Sequence, residues 1–69
     1  MRIFTVTLDD RPVAVVRARD RADAVESARD MAPRRLDAAD ERFDAREPDD
    51  GEMVGWLERR DDYLLLEIA

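Results

Sequence analysis

Few residue types in this 69-residue chain can do chemistry. The polar side chains are almost all Asp, Glu and Arg; Lys, His, Cys, Asn and Gln are absent, with one Ser (Ser27), two Thr (Thr5, Thr7) and one Tyr (Tyr63). Without Cys or His there are no disulfides, no thiolate or imidazole metal sites, and no nucleophile–base pair of the usual kinds. Carboxylates remain, and they crowd into one stretch. Residues 37–52 carry Asp37, Asp40, Glu41, Asp44, Glu47, Asp49, Asp50 and Glu52 against only Arg42 and Arg46. That stretch is net −6, equal to the imbalance of the whole chain, while residues 1–36 are net +2 and residues 53–69 net −2. A concentrated negative field repels nucleic acid and speeds association with basic surfaces. These eight acids are the candidate acidic partner-binding face, able to imitate the charge of a phosphate backbone. The plainer alternative is a solvated loop and turn that keeps a small protein soluble.

Other chemistries fit less well. Asp49-Asp50-Gly51-Glu52, with Asp44 upstream, offers oxygen ligands but lacks the alternating acids and distant Glu of an EF-hand loop, so neither a metal nor a cofactor is expected. Acid–base catalysis by paired carboxylates needs a cleft with one acid desolvated. Only Glu67 lies in an apolar run, so no catalytic residues are assigned and the chain reads as a non-enzyme. Gly51 and Gly55 are the only glycines, which excludes a glycine-rich phosphate loop. Arg17, Arg19 and Arg21, then Arg34 and Arg35, form a basic rim at both ends of a helix, with Phe4 or Trp56 in reach for stacking. Surface pairing of these arginines with Asp20, Asp23, Asp30 and Asp37 is the simpler reading, and direct nucleic-acid binding is not expected.

The elements that must position these groups follow from periodicity. Asp20–Ala32 reads as a helix, with Ala24, Val25, Ala28, Met31 and Ala32 on one side, Asp20 and Asp23 as an imperfect capping box, and Pro33 as the stop. Its outer face, Ala22, Asp23, Glu26, Arg29 and Asp30, offers little as a seat of function. Arg2–Leu8 alternates as a strand, and a polar turn at Asp9–Pro12 leads to a second strand from Val13 to Ala18, giving an antiparallel hairpin. Residues 33–40 are ambiguous, and a short helical turn within a loop is expected. Glu41–Glu47 alternates as a half-exposed strand, and Pro48-Asp49-Asp50-Gly51 is a turn signal. Glu52–Glu58 is a fork. Helical spacing groups Met53, Val54, Trp56 and Leu57, with Asp49 and Glu52 as a capping pair. Gly55 costs a helix about 1 kcal/mol, and Val and Trp favour a strand, so a strand is expected. Tyr63–Ile68 reads as the last strand.

The chain is thus expected to be one α+β domain spanning 1–69, in two layers. One helix packs on a mostly antiparallel sheet in the order ββαβββ, with ββαβαβ as the alternative. One helix covers one sheet face, so the other is expected to expose Val13, Val15, Trp56, Tyr63 and Leu65, an apolar partner-binding patch with Trp and Tyr as anchors. No leader or ~20-residue apolar span is visible, and a cytoplasmic location is expected. The opening hairpin followed by an Ala-rich helix resembles the small antitoxin domains of the HicB type, although the glycine-rich stretch before their helix is missing here. Size, acidity and the lack of catalytic residues are similar to phage-encoded inhibitors such as anti-CRISPR proteins. What these likenesses imply is a small acidic protein-binding module, an inhibitor or regulator of a partner with a basic surface. A structural homo-oligomer, such as a homodimer, or an antitoxin-like component is the alternative.

Overall fold

Two acidic residues make a tight turn between the first two strands. In the computed structural model, which describes residues 1–31 and 36–58 and the backbone of Tyr63–Leu65, Asp9 and Asp10 both take positive φ (52° and 65°). Positive φ at both central residues is what a two-residue hairpin loop requires if its twist is to match the flanking strands. The turn joins β1 (Arg2–Leu8) to β2 (Arg11–Ala18) in antiparallel register, with Phe4 opposite Val16 and Val6 opposite Ala14. The register then slips between Val6 and Thr7, so that Thr7 faces Pro12. A bulge there absorbs one residue of β2 and accommodates a proline that cannot donate to the ladder.

β3 (Phe43–Arg46) pairs antiparallel along the other edge of β1, completing a three-stranded antiparallel sheet. The backbone of β4 (Tyr63–Leu65) runs antiparallel beside Ala14–Val16 of β2. A 3-10 turn at Asp40–Arg42 takes the first two residues of the expected third strand, which begins at Phe43 instead.

α1 (Arg21–Met31) starts as its sequence signals: the Asp23 N–H donates to Asp20 Oδ1 (2.8 Å) and the Arg19 N–H to Asp23 Oδ2 (3.0 Å). Its inward stripe is small, so Ala24 and Ala28 lie fully buried against Phe4, Val6, Ala14, Val16, Phe43 and Ala45. Leu36 joins the same core. The expected helix end at Ala32 and Pro33 falls outside the described residues, as do Leu66 and Ile68 of the last strand.

Asp50–Glu58 is a second helix, α2, and corrects the strand expected at 52–58. The reason is its start. Glu52 accepts from the Asp49 N–H (2.9 Å) while Asp49 Oδ1 accepts from the Glu52 N–H (2.8 Å), a reciprocal capping box that offsets the mid-helix glycine. A single helix on one sheet face is therefore corrected as well. α2 reaches the face opposite α1, where Thr5 Oγ1 donates to Glu52 (2.9 Å) and the Arg17 guanidinium lies 5.4 Å from the Trp56 ring centre. No helix among the described residues is long and apolar enough to cross a membrane.

Candidate functional site

The fold sorts the eight acids of 37–52 into three kinds of work. Glu52, Asp49 and Asp44 are structural. The Glu52 side chain is only 10% exposed and takes both Nη atoms of Arg46 (2.9 and 3.1 Å) besides Thr5 and the cap. Burial alone would raise its carboxyl pKa, but the Arg46 guanidinium, the Asp49 N–H and the Thr5 hydroxyl outweigh burial and hold it below the usual value. The same bond to Glu52 raises the Arg46 pKa. Asp44 Oδ1 accepts from the Ala45 N–H (2.8 Å). Asp40 and Glu47 are spent on arginines: Asp40 on Arg29, and Glu47 on Arg2 at 3.1 Å. Asp37, Glu41 and Asp50 are exposed and make no ion pair among the described residues.

The expected apolar patch is corrected too. Val13 and Val15 are 2% and 0% exposed: Val13 joins the core beneath α1, and Val15, opposite Thr5, lies on the second sheet face, which is covered. Trp56 is half-buried, and its Nε1 has no acceptor among the described residues. The side chains of Tyr63 and Leu65 lie outside the described residues. The large apolar side chains that do face solvent on α2 are Val54 (55%) and Leu57 (66%).

Two concave regions remain. At the start of α1, a cleft of about 320 Å³ gathers Arg2, Arg19, Arg21 and Arg46 beside Phe4. Three of those arginines already have partners: Arg2 with Glu47, Arg46 with Glu52, and Arg19 with Asp23 at 3.8 Å. Asp20 also lines the cleft. Four carboxylates balance four guanidiniums, which leaves no net attraction for a polyanion.

The larger region is a groove of about 670 Å³ along the outer side of α1. Among the described residues, Ala22 and Val25 give it apolar surface, with buried Leu36 alongside, while Glu26, Asp30, Asp37 and Asp40 supply carboxylates around Arg29. The Arg29 guanidinium is bonded to one of these carboxylates, Asp40, and lies 5.3 Å from the Phe43 ring centre. This brings Asp37 and Asp40 of the acidic stretch beside helix residues that the sequence reading set aside as an uninformative outer face. A signal was present: Glu26 and Asp30 are like charges one helical turn apart, an arrangement that destabilises a helix.

Ser27 sits half-buried in mid-helix, and no group of three or more metal-ligating side chains occurs among the described residues. All four groove carboxylates are exposed, so they suit ion pairing rather than proton transfer at a desolvated acid. The chain matches no family model, no curated protein and no solved structure.

Proposed function

We propose that this chain is a non-enzymatic protein-binding module that inhibits or regulates a partner through the partner's basic surface. The supporting observation is how the arginines are used. The described residues hold eight arginines against fifteen carboxylates, and five of the arginines are committed to ion pairs within the chain. These cations stay at the surface with their charge cancelled by neighbouring acids, and the surplus presented to a partner is carboxylate. Such a surface steers a cationic partner by long-range attraction, as an inhibitor of the phage type would need in order to occupy a nucleic-acid-binding protein. In this reading the chain is a ββαβαβ unit acting in the cytoplasm, and the acids of 37–52 with neither an ion pair nor a side-chain hydrogen bond among the described residues, Asp37, Glu41 and Asp50, lead the steering.

The test is a titration against the partner recovered from the native host, across about 0.05 to 0.5 M salt, where screening lengths fall well below the spacing of surface charges. Affinity is expected to fall steeply with salt, and to fall again in the triple variant Asp37→Asn/Glu41→Gln/Asp50→Asn. An affinity indifferent to both refutes the reading. Exposed Val54 and Leu57, one turn apart on α2, favour a second reading as a homo-oligomer. Sedimentation equilibrium separates the two, since a monomer at micromolar concentration leaves that apolar pair without a second copy.

A further inference from the structure

We infer that the Asp44 carboxylate closes the outer edge of β3, so that a second copy of this chain does not add its own strand to the sheet there. A closed edge neither needs nor opposes the basic-partner reading, and it confines any self-association to other surfaces, such as α2.

β3 ends the sheet on one side, and among the described residues no strand lies beyond it. An end strand is a template for another chain, because half of its N–H and C=O groups point away from the sheet. The register identifies which ones. The Asp9 N–H donates to the Arg42 carbonyl (3.0 Å), and Thr7 and Thr5 stand opposite Asp44 and Arg46. Alternation then aims the main-chain groups of Asp44 and Arg46 at β1 and leaves those of Phe43 and Ala45 pointing outward. Both outward N–H groups already have acceptors. The Phe43 N–H bonds back to the Asp40 carbonyl of the 3-10 turn, and the Ala45 N–H donates to Asp44 Oδ1 (2.8 Å). The outer edge of β3 therefore offers carbonyls and no unengaged N–H, whereas an added strand needs both. The Phe43 bond is main chain and survives any substitution of side chain, so the closure turns on Asp44. Aspartate is disfavoured within strands because its side chain competes for backbone N–H groups. Here that competition is the use of the residue: exposed Asp44 occupies the one donor that a neighbouring chain would seek.

The experiment follows the full chain by amide NMR and sedimentation equilibrium from about 0.05 to about 1 mM, the range in which a weak strand-to-strand contact becomes populated. In the parent, the amide shifts of Phe43–Arg46 should not change with concentration. In Asp44→Ala, hydrogen exchange at the Ala45 amide, corrected for the changed neighbour, should rise about fivefold or more, the scale of losing one hydrogen bond. The Phe43–Arg46 shifts should then move with concentration, and a dimer should appear at the upper end of the range. Asp44→Asn keeps an Oδ1 acceptor and should match the parent in every readout. Glu41→Ala removes the same charge outside the strand and should also match the parent. Urea denaturation checks that Asp44→Ala is folded; if it is not, Asp44→Val removes the same acceptor with a residue that favours a strand. Parental exchange at Ala45 in the acceptor-free variant overturns the closure, and so does fast exchange without association. Association of Asp44→Asn to the extent of Asp44→Ala assigns the effect to charge rather than to the hydrogen bond and overturns it as well. Equal association of Glu41→Ala overturns it in favour of general repulsion between acidic copies. None of these results touches the basic-partner reading, which is judged on the partner's own salt dependence.

Discussion

Glu52 is the residue whose loss should cost this fold most for a single charged side chain. Its carboxylate joins three elements: β1 through Thr5, β3 through Arg46, and the start of α2 through the Asp49 N–H. In Glu52→Ala, Thr5 is left buried without that acceptor, a penalty of about 1–3 kcal/mol. Losing half of the capping box costs about 0.5–1 kcal/mol. The Arg46 pair is half-exposed on the arginine side, so its share is at most about 1 kcal/mol. These contributions share one side chain and do not add simply, which sets the expected loss at about 2–4 kcal/mol. A chain of this length has about 3–10 kcal/mol in total, so urea denaturation at pH 7 should show a large fall in midpoint. The pH dependence has a definite sign. The folded-state pKa of Glu52 lies below the usual 4.5, so its contribution is present above that value and is lost as pH falls from there through the lowered folded value. Glu52→Gln keeps the shape but cannot titrate. Its deficit relative to the parent should therefore be full at pH 7 and shrink as pH is lowered from about 5 toward 3. A Glu52→Ala stability within about 0.5 kcal/mol of the parent, or parallel pH profiles for the parent and Glu52→Gln, would refute this account of how α2 is held.

Three further substitutions probe the fold independently. Asp10→Gly removes a Cβ from a left-handed turn position (φ 65°) and should raise the urea midpoint, by up to about 1 kcal/mol of stability; a fall would mean the turn differs from the one described. Ala28→Leu forces a large side chain between α1 and the sheet, where Ala28 is fully buried, and should cost about 1–3 kcal/mol in the same assay. Val15→Asp buries an unpaired charge on the covered sheet face and should cost more than about 3 kcal/mol, while Leu57→Asp on exposed α2 should stay within about 0.5 kcal/mol; the opposite order would restore the bare-face picture.

The parts of the fold legible in the sequence are those where local chemistry and tertiary packing agree. The hairpin was readable because alternation in Arg2–Leu8 and a polar break at Asp9-Asp10 both point to it. α1 was readable because its cap, its small-residue stripe and its period coincide. The segment 52–58 was misjudged because propensity and capping conflict there. Gly55, Val54 and Trp56 favour a strand, while the Asp49/Glu52 box favours a helix, and the deciding contact, Glu52 to Thr5 on β1, spans 47 residues and is invisible to a local rule. That one error propagated. With 52–58 taken as a strand, the second sheet face lacked a cover, and Val13 and Val15 were expected to be exposed. The groove escaped notice for a different reason: Glu26 and Asp30 look like ordinary solvated helix residues until Leu36, Asp37 and Asp40 are brought back alongside them.

The acidic surplus then separates into two populations that substitution can tell apart. In a short chain without disulfides or metal ligands, ion pairs are the cross-links on hand. Arg42 to Asp9 fastens the hairpin turn to the edge of β3, with Asp9 held below its usual pKa chiefly by the side-chain bond to Arg42. Arg29 to Asp40 fastens α1 to the 3-10 turn, and Arg46 to Glu52 fastens β3 to α2. Each exposed pair is worth at most about 1 kcal/mol; Arg42 to Asp9 spans 33 residues, where loop-closure entropy makes a link most useful, whereas Arg29 to Asp40 and Arg46 to Glu52 close shorter loops. Acids in those pairs have their charge cancelled by a neighbour and contribute little field at a distance. Asp10, Glu26, Asp30, Asp37, Glu41, Asp50 and Glu58 have neither an ion pair nor a side-chain hydrogen bond among the described residues, so they dominate the field a partner meets. Neutralising the paired acids should therefore change stability with little change in association rate. Neutralising the second group should change association rate and its salt dependence with little change in stability. That division follows from where eight arginines point, and the fold, more than the amino-acid count, decides which carboxylates are left to bind.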